Sequence, residues 1–169
     1  MMREEPRTEK ATIHLTSQSF ADGEAIPERL TCEGDGVSPA LAWSGLPGGT
    51  KSLALIADDP DAPDPKAPQR TFVHWVLYDI PPSATDIPIG ATRDTLPVGT
   101  RVGRNDDDQS GWYPPCPPIG RHRYCFKLYA LDTQLGALAD PTKAALEKAL
   151  QGHVLGQGML MGTYEKRKK

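Results

Sequence analysis

Apolar residues fall in short runs of strand length, separated by stretches rich in glycine, proline and aspartate. Ser52–Ala57 is a continuous apolar run that stops at Asp58-Asp59-Pro60, the pattern of a strand buried on both faces. Thr71–Tyr78 is dense in β-branched and aromatic residues and is the strongest strand signal, ended by Ile80-Pro81-Pro82. Arg123–Leu131 gives a third clear strand. Weaker strands are expected at 13–15, at Leu41-Ala42-Trp43 before the Gly45–Gly49 turn, and at Met159–Tyr164. Residues 21–39 read as an ordered loop of turn formers. Residues 83–120 read as loop with two short strands at most, and so long an irregular stretch is expected chiefly where it builds a functional site. One helix is predicted, over 141–151. Asp140 is its candidate N-cap, with Pro141 at the first position, Ala145, Leu146, Ala149 and Leu150 at helical spacing, and Gly152 as the stop. Strands in series with one late helix predict a mainly β fold, antiparallel and sandwich-like, with a C-terminal helix packed against it.

Composition narrows this picture. A chain of 169 residues with 38% hydrophobic and 24% charged residues fits one globular domain. It is divided here into a flexible start at 1–10, a single domain at 11–166 and a basic tail at 167–169. A net charge of -3 leaves no electrostatic footprint for nucleic acid, and the terminal basic run reads as solvated. No apolar run approaches the ~18 residues of a membrane helix, and the first residues lack the apolar stretch of a signal peptide, so a cytoplasmic location is expected. The cysteines, Cys32, Cys116 and Cys125, are odd in number and none form a C-x-x-C pair, so reduced thiols are expected and no metal site is.

Three segments place polar chemistry in or beside apolar strands. In Asp58-Asp59-Pro60-Asp61-Ala62-Pro63, two prolines fix a turn that holds Asp59 and Asp61; rigid carboxylates suit a binding site, but a solvated acidic turn reads the same way. His74 lies inside the most apolar strand, where alternation puts it on one face with Phe72, Val76 and Tyr78, opposite Val73, Trp75 and Leu77. A single histidine in such a place is more often a satisfied core residue than a ligand. In Gly111–Tyr124, Pro114, Pro115, Pro117 and Pro118 form a stiff wall, and His122 shares a face with Tyr124 and Phe126. Arg123, on the other face, reads as an ion-pair partner. Cys116 has no helix N-terminus or basic neighbour to activate it and reads as an unreactive thiol.

Taken together, Asp59-Pro60-Asp61-Ala62-Pro63, Val73-His74-Trp75 and Pro115-Cys116-Pro117-Pro118 with Gly120 and His122-Arg123-Tyr124 resemble the phosphatidylethanolamine-binding protein family, in its bacterial Raf kinase inhibitor-like branch. Ser38-Pro39, Gly103-Arg104-Asn105-Asp106 and Gly152-His153-Val154-Leu155 extend the resemblance over about 12–165. The resemblance implies an antiparallel Greek-key β fold and a pocket for phosphate or a phosphoryl head group. It implies ligand-binding roles for Asp59, Asp61, Pro63, His74, Pro115, His122 and Tyr124. Pro114 stands where the family usually has glycine, so a backbone N–H is missing there. Asp106-Asp107-Asp108, if at the rim, would disfavour highly charged ligands.

Residues and resemblance lead to a small-anion-binding protein without a cofactor. A kinase or protease partner and a homodimer come from the resemblance alone. The alternative is a hydrolase or phosphatase-like enzyme using the His/Asp pocket, against which there is no nucleophile elbow and no H-E-x-x-H motif.

Overall fold

The computed structural model describes residues 11–139 and 141–167. The expected flexible start at 1–10, the Asp140 cap and the last two residues of the expected tail lie outside the described residues. Nine strands are described: β1 Ala11–Thr12, β2 His14–Thr16, β3 Leu41–Ser44, β4 Ser52–Ala62, β5 Arg70–Ile80, β6 Asp86–Ile87, β7 Arg101–Val102, β8 Arg121–Leu131 and β9 Val154–Glu165. One α-helix, α1 Lys143–Leu150, precedes β9, and a short 3-10 turn covers Glu28–Leu30. Among the described residues, no helix is long and apolar enough to cross a membrane.

The fold is mainly β with one short helix. A six-stranded sheet runs β1-β9-β8-β4-β5-β7, and a three-stranded sheet runs β2-β3-β6. The large sheet is mixed rather than wholly antiparallel, because β1 pairs parallel with β9. Alternation along β4 sends Leu53, Leu55 and Ala57 to a core shared with Leu15, Trp43 and Ile87 of the small sheet. Ala54 and Ile56 go to the opposite face, where Leu146 and Leu150 of α1 cover them. The continuous apolar run in β4 is therefore that of a central strand covered on both sides. Each fully buried leucine contributes roughly 1.5–3 kcal/mol relative to exposure. The helix is capped by Thr142, whose hydroxyl accepts from the Ala145 N–H at 3.2 Å, and ends with Gly152 in the left-handed region at φ 82°.

Two sequence expectations are corrected by β-bulges. The strand β4 does not stop at Asp58; it runs through Pro60 to Ala62, with an extra residue between the Asp59↔Phe72 and Ala62↔Arg70 pairs. The apolar signal ends before the strand does because the carboxylates that follow are buried against partners. In β5, Ala57↔Trp75 is followed by Asp58↔Val73, which leaves His74 as an extra residue. The bulge resets the alternation, so Val76 and Tyr78 face α1 while Trp75 and Leu77 face the main core. His74 therefore does not share a face with Val76 and Tyr78. A further bulge lies between the Leu53↔Ile80 and Leu55↔Leu77 pairs. Asp79 within it adopts φ 52°, and its carboxylate accepts from the Leu135 and Gly136 N–H groups.

The long segment 83–120 contains the two short strands β6 and β7 and is docked along β5 by the backbone. Gly103 N–H donates to Val76 O at 2.8 Å, Asp106 N–H to Val73 O at 2.9 Å and Tyr113 N–H to His74 O at 2.9 Å. Position 103 has no room for a side chain, since a Cβ there would meet Pro141 O at 2.5 Å and Val76 Cγ1 at 2.7 Å.

The reduced-thiol expectation is overturned for two cysteines. Cys32 and Cys116 form a disulfide with Cα atoms 5.3 Å apart across a sequence separation of 84; Cys125 is free and buried. The spacing carried no signal because the fold, not local sequence, brings the two together. Cys32 N–H donates to Pro115 O at 3.0 Å, and the Trp112 indole N–H to Gly36 O at 3.0 Å, so the bridge joins segments already docked. Replacing both Cys32 and Cys116 by serine is expected to lower the unfolding free energy by about 2–4 kcal/mol in a urea titration without reductant. The wild-type chain, denatured without reductant, should titrate one thiol of its three cysteines; three would rule the bridge out.

Candidate functional site

Where β4, β5 and β8 end side by side, they enclose a cavity of about 170 Å³. Of the residues expected at a site, Asp59, Pro63, His74, His122 and Tyr124 line it. Asp61 and Pro115 do not. The bulge in β4 turns Asp61 away from the cavity, where its carboxylate accepts from Arg123 Nη2 at 2.8 Å, Arg123 Nε at 3.0 Å and the Arg123 backbone N–H at 2.9 Å. The Arg123 guanidinium holds the Asp61 carboxyl below the usual carboxylate range. Pro115 is buried behind the wall, its carbonyl taken by Cys32. Cys116, Pro117 and Pro118 form the wall itself.

His122 is wholly buried and held on three sides. Its Nδ1 lies 2.6 Å from Asp59 Oδ2, and its Nε2 lies 2.9 Å from Ile119 O and 3.1 Å from Pro63 O. Acceptors face both ring nitrogens, the Asp59 carboxylate at Nδ1 and two carbonyls at Nε2. The other Asp59 oxygen accepts from the Asp61 N–H at 2.7 Å. His122 is thus a structural cross-tie between β8, β4 and the proline wall, with both ring nitrogens engaged by the protein.

His74 differs. Its Nδ1 lies 2.6 Å from Tyr113 O, which makes Nδ1 the donor, and no described residue engages Nε2. Burial pushes its pKa below the ordinary histidine value, against the pull of the Tyr113 carbonyl and Asp59. His74 lines the cavity, and the lowered pKa keeps its ring neutral at neutral pH. Tyr124 meets His74 edge-on, with ring centroids 5.3 Å apart. Burial, reinforced by Asp59, pushes the Tyr124 phenol far up, so it keeps its proton and can donate. The aromatic lining of Phe72, Tyr113 and Tyr124 around His74 makes the site apolar, which strengthens any hydrogen bond made inside it.

Sequence reasoning missed Arg70, Phe72 and Tyr113, which also line the cavity. Alternation held the signal for the first two, since Arg70, Phe72 and His74 are spaced i, i+2, i+4 at the start of β5. The acidic run Asp106-Asp107-Asp108 is not part of the lining. Asp106 Oδ2 accepts from the Val73 N–H at 2.9 Å, and Asp108 pairs with Arg104 at 3.1 Å. Asn105 organises that turn, accepting from the Asp107 and Gln109 N–H groups and donating to Gly111 O. Pro114 packs against Gly36, where a Cβ would lie 3.3 Å from its ring.

Known proteins are similar to this chain over most of its length. The family model for phosphatidylethanolamine-binding protein matches residues 16–165. A UPF0098 protein of Methanothermobacter thermautotrophicus is 44% identical over 155 residues, covering 91% of this chain and 99% of that protein. Among solved structures, a phosphatidylethanolamine-binding protein homologue from Chlamydia trachomatis aligns with a TM-score of 0.83 at 39% identity, covering 92% of this chain and 98% of its own. YbcL of Escherichia coli, described as a member of the mammalian family, aligns with a TM-score of 0.83 at 34% identity, covering 93% of this chain and all of its own (100%). With a family model spanning nearly its whole length, this chain belongs to the phosphatidylethanolamine-binding protein family.

Proposed function

We propose that the protein is a binding protein whose cavity takes one compact oxyanion, a phosphate or the phosphoryl end of a larger molecule. The observation that carries this reading is the His74 ring: Nδ1 is fixed by Tyr113 O, no described residue takes Nε2, and the ring lines the cavity beside Tyr124. A protonated Nε2 and the Tyr124 hydroxyl supply two convergent donors, and the apolar walls raise the value of each charge-assisted bond. Stiff prolines and the disulfide hold the wall in place before a ligand arrives, so little ordering cost falls on binding. Action on a kinase or protease partner and pairing as a homodimer extend this reading through the resemblance, and a pulldown and a sedimentation measurement test them. For the alternative, an enzyme, Cys116 offers no nucleophile while it is held in the disulfide. A panel of anions in a thermal-shift assay, run beside phosphorylated and acyl model substrates, separates the readings. Saturable stabilisation without turnover supports the binder, and turnover overturns it.

The His74 shift sets a pH dependence. Its folded value lies below the unfolded 6.5, so as pH falls below 6.5 the unfolded chain takes up a proton that the empty fold resists, and stability is lost. A bound anion favours the protonated ring and restores that stability. Sulfate, a dianion throughout this range, is therefore expected to bind more tightly as pH falls from neutrality, by up to about tenfold per unit for one proton taken up. Calorimetry in buffers of different ionisation heat should show that proton uptake; a pH-independent affinity would sink the account.

His122→Ala leaves Asp59 buried without its imidazole. The expected cost is about 3–5 kcal/mol in a urea titration, together with loss of anion binding. A variant as stable as the wild type would show that the Asp59–His122 contact does not brace the site.

A further inference from the structure

We infer that the Cys32–Cys116 disulfide is a redox lock on the cavity: oxidised, it holds the proline wall in the form that binds an anion; reduced by a dithiol, it releases the wall and affinity falls. The inference rests on the anion reading above and adds to it a means of regulating that site.

The wall depends on the bridge because proline strips it of other ties. With proline at 114, 115, 117 and 118, Cys116 carries the one backbone N–H of that stretch. Among the described residues, one hydrogen bond holds 114–118, from Cys32 N–H to Pro115 O at 3.0 Å. The flanks are fixed separately. Tyr113 N–H donates to His74 O at 2.9 Å, and Ile119 O lies 2.9 Å from His122 Nε2. Between those anchors Cys116, Pro117 and Pro118 line the cavity. The covalent bond does for this segment what a ladder of N–H groups does for a strand.

The other end of the bridge is anchored away from the cavity. Cys32 follows the 3-10 turn Glu28–Leu30, and beside it the Glu33 carboxylate accepts from the Tyr164 hydroxyl at 2.5 Å and from the Arg167 N–H at 2.8 Å. Tyr164 stands opposite His122 in the β8–β9 pairing. The disulfide therefore fastens the wall to the sheet that carries His122. Neither cysteine lies in a strand, so breaking the bond leaves the pairing of β4, β5, β8 and β9 intact.

The bridge is open to a reductant. Cys32 is exposed and Cys116 half-buried, whereas the free Cys125 is buried. Exposed disulfides are the ones that exchange readily and serve regulation. A thiolate of the dithiol attacks the Cys32 sulfur, the S–S bond breaks, and Cys116 leaves as a thiolate that takes up a proton. The second thiol of the reductant attacks the mixed disulfide and releases Cys32 as a thiol. Two electrons and two protons pass to the cysteines, and the dithiol ends as a cyclic disulfide. The wall is then held by a single hydrogen bond. By linkage, an anion that prefers the oxidised wall also favours the oxidised bridge, by the same factor.

Calorimetric titration with sulfate and with inorganic phosphate tests this, on wild type before and after dithiothreitol and on the double variant Cys32→Ser, Cys116→Ser. Reduction is expected to weaken both anions roughly tenfold while near-UV circular dichroism stays native. The double variant, which keeps Cys125, should bind as reduced wild type does and ignore dithiothreitol. Saturating sulfate should raise the ratio of reduced to oxidised dithiothreitol needed for half-reduction by up to about tenfold. If reduced wild type binds the anions as tightly as oxidised, the lock is overturned while the anion pocket stands. A bridge that resists dithiothreitol in the folded chain, or a chain that unfolds on reduction, overturns it as well. If oxidised wild type binds neither anion, the anion reading itself falls and takes the lock with it.

Discussion

Three carboxylates, Asp58, Asp59 and Asp61, are buried at the end of the central strand, and each needs a partner there. Strand β8 supplies one to each. Its alternation sends His122 to Asp59 on the cavity face, and Arg123 and Lys127 to Asp61 and Asp58. The helix adds Lys143 to Asp58 at 2.7 Å, while Asp58 Oδ1 keeps no partner among the described residues. This matching locks the register in which Asp58 stands opposite Cys125. A slip of one residue would turn Arg123 to the cavity face and take its guanidinium from Asp61. The site and the sheet are therefore specified by the same ion pairs, and neither can shift without the other.

The elements themselves were legible. Apolar runs marked β4, β5 and β8, and the spacing of Leu146 and Leu150 marked α1, because burial on a strand or helix face is a local pattern. Arg123 as an ion-pair partner was legible for the same reason. What the pattern hid lies where an extra residue enters a strand. The bulge at His74 reversed the faces assigned to Val76 and Tyr78, and the bulge after Asp59 parted Asp61 from the cavity. An insertion of one residue has no signature in hydrophobicity when the neighbours on both faces are apolar. The Cys32–Cys116 bridge was hidden too, since it depends on which distant loops meet.

Within the cavity, the two histidines divide their work. His122 spends both nitrogens on the protein and acts as masonry, while His74 spends one and keeps one. His122 and Asp59 thus brace the pocket, and His74 and Tyr124 line it.

The disulfide has a topological consequence. It closes a covalent ring that contains Asp59, Arg70, Phe72, His74 and Tyr113, while His122 and Tyr124 lie on the chain beyond it. An oxidised but unfolded molecule would keep His122 within about 20 Å of Cys116, a tether of six residues, yet leave the ring's own residues free to wander. Covalent closure alone cannot assemble the pocket. β8, entering from outside to pair with β4 inside, is the clasp that closes it.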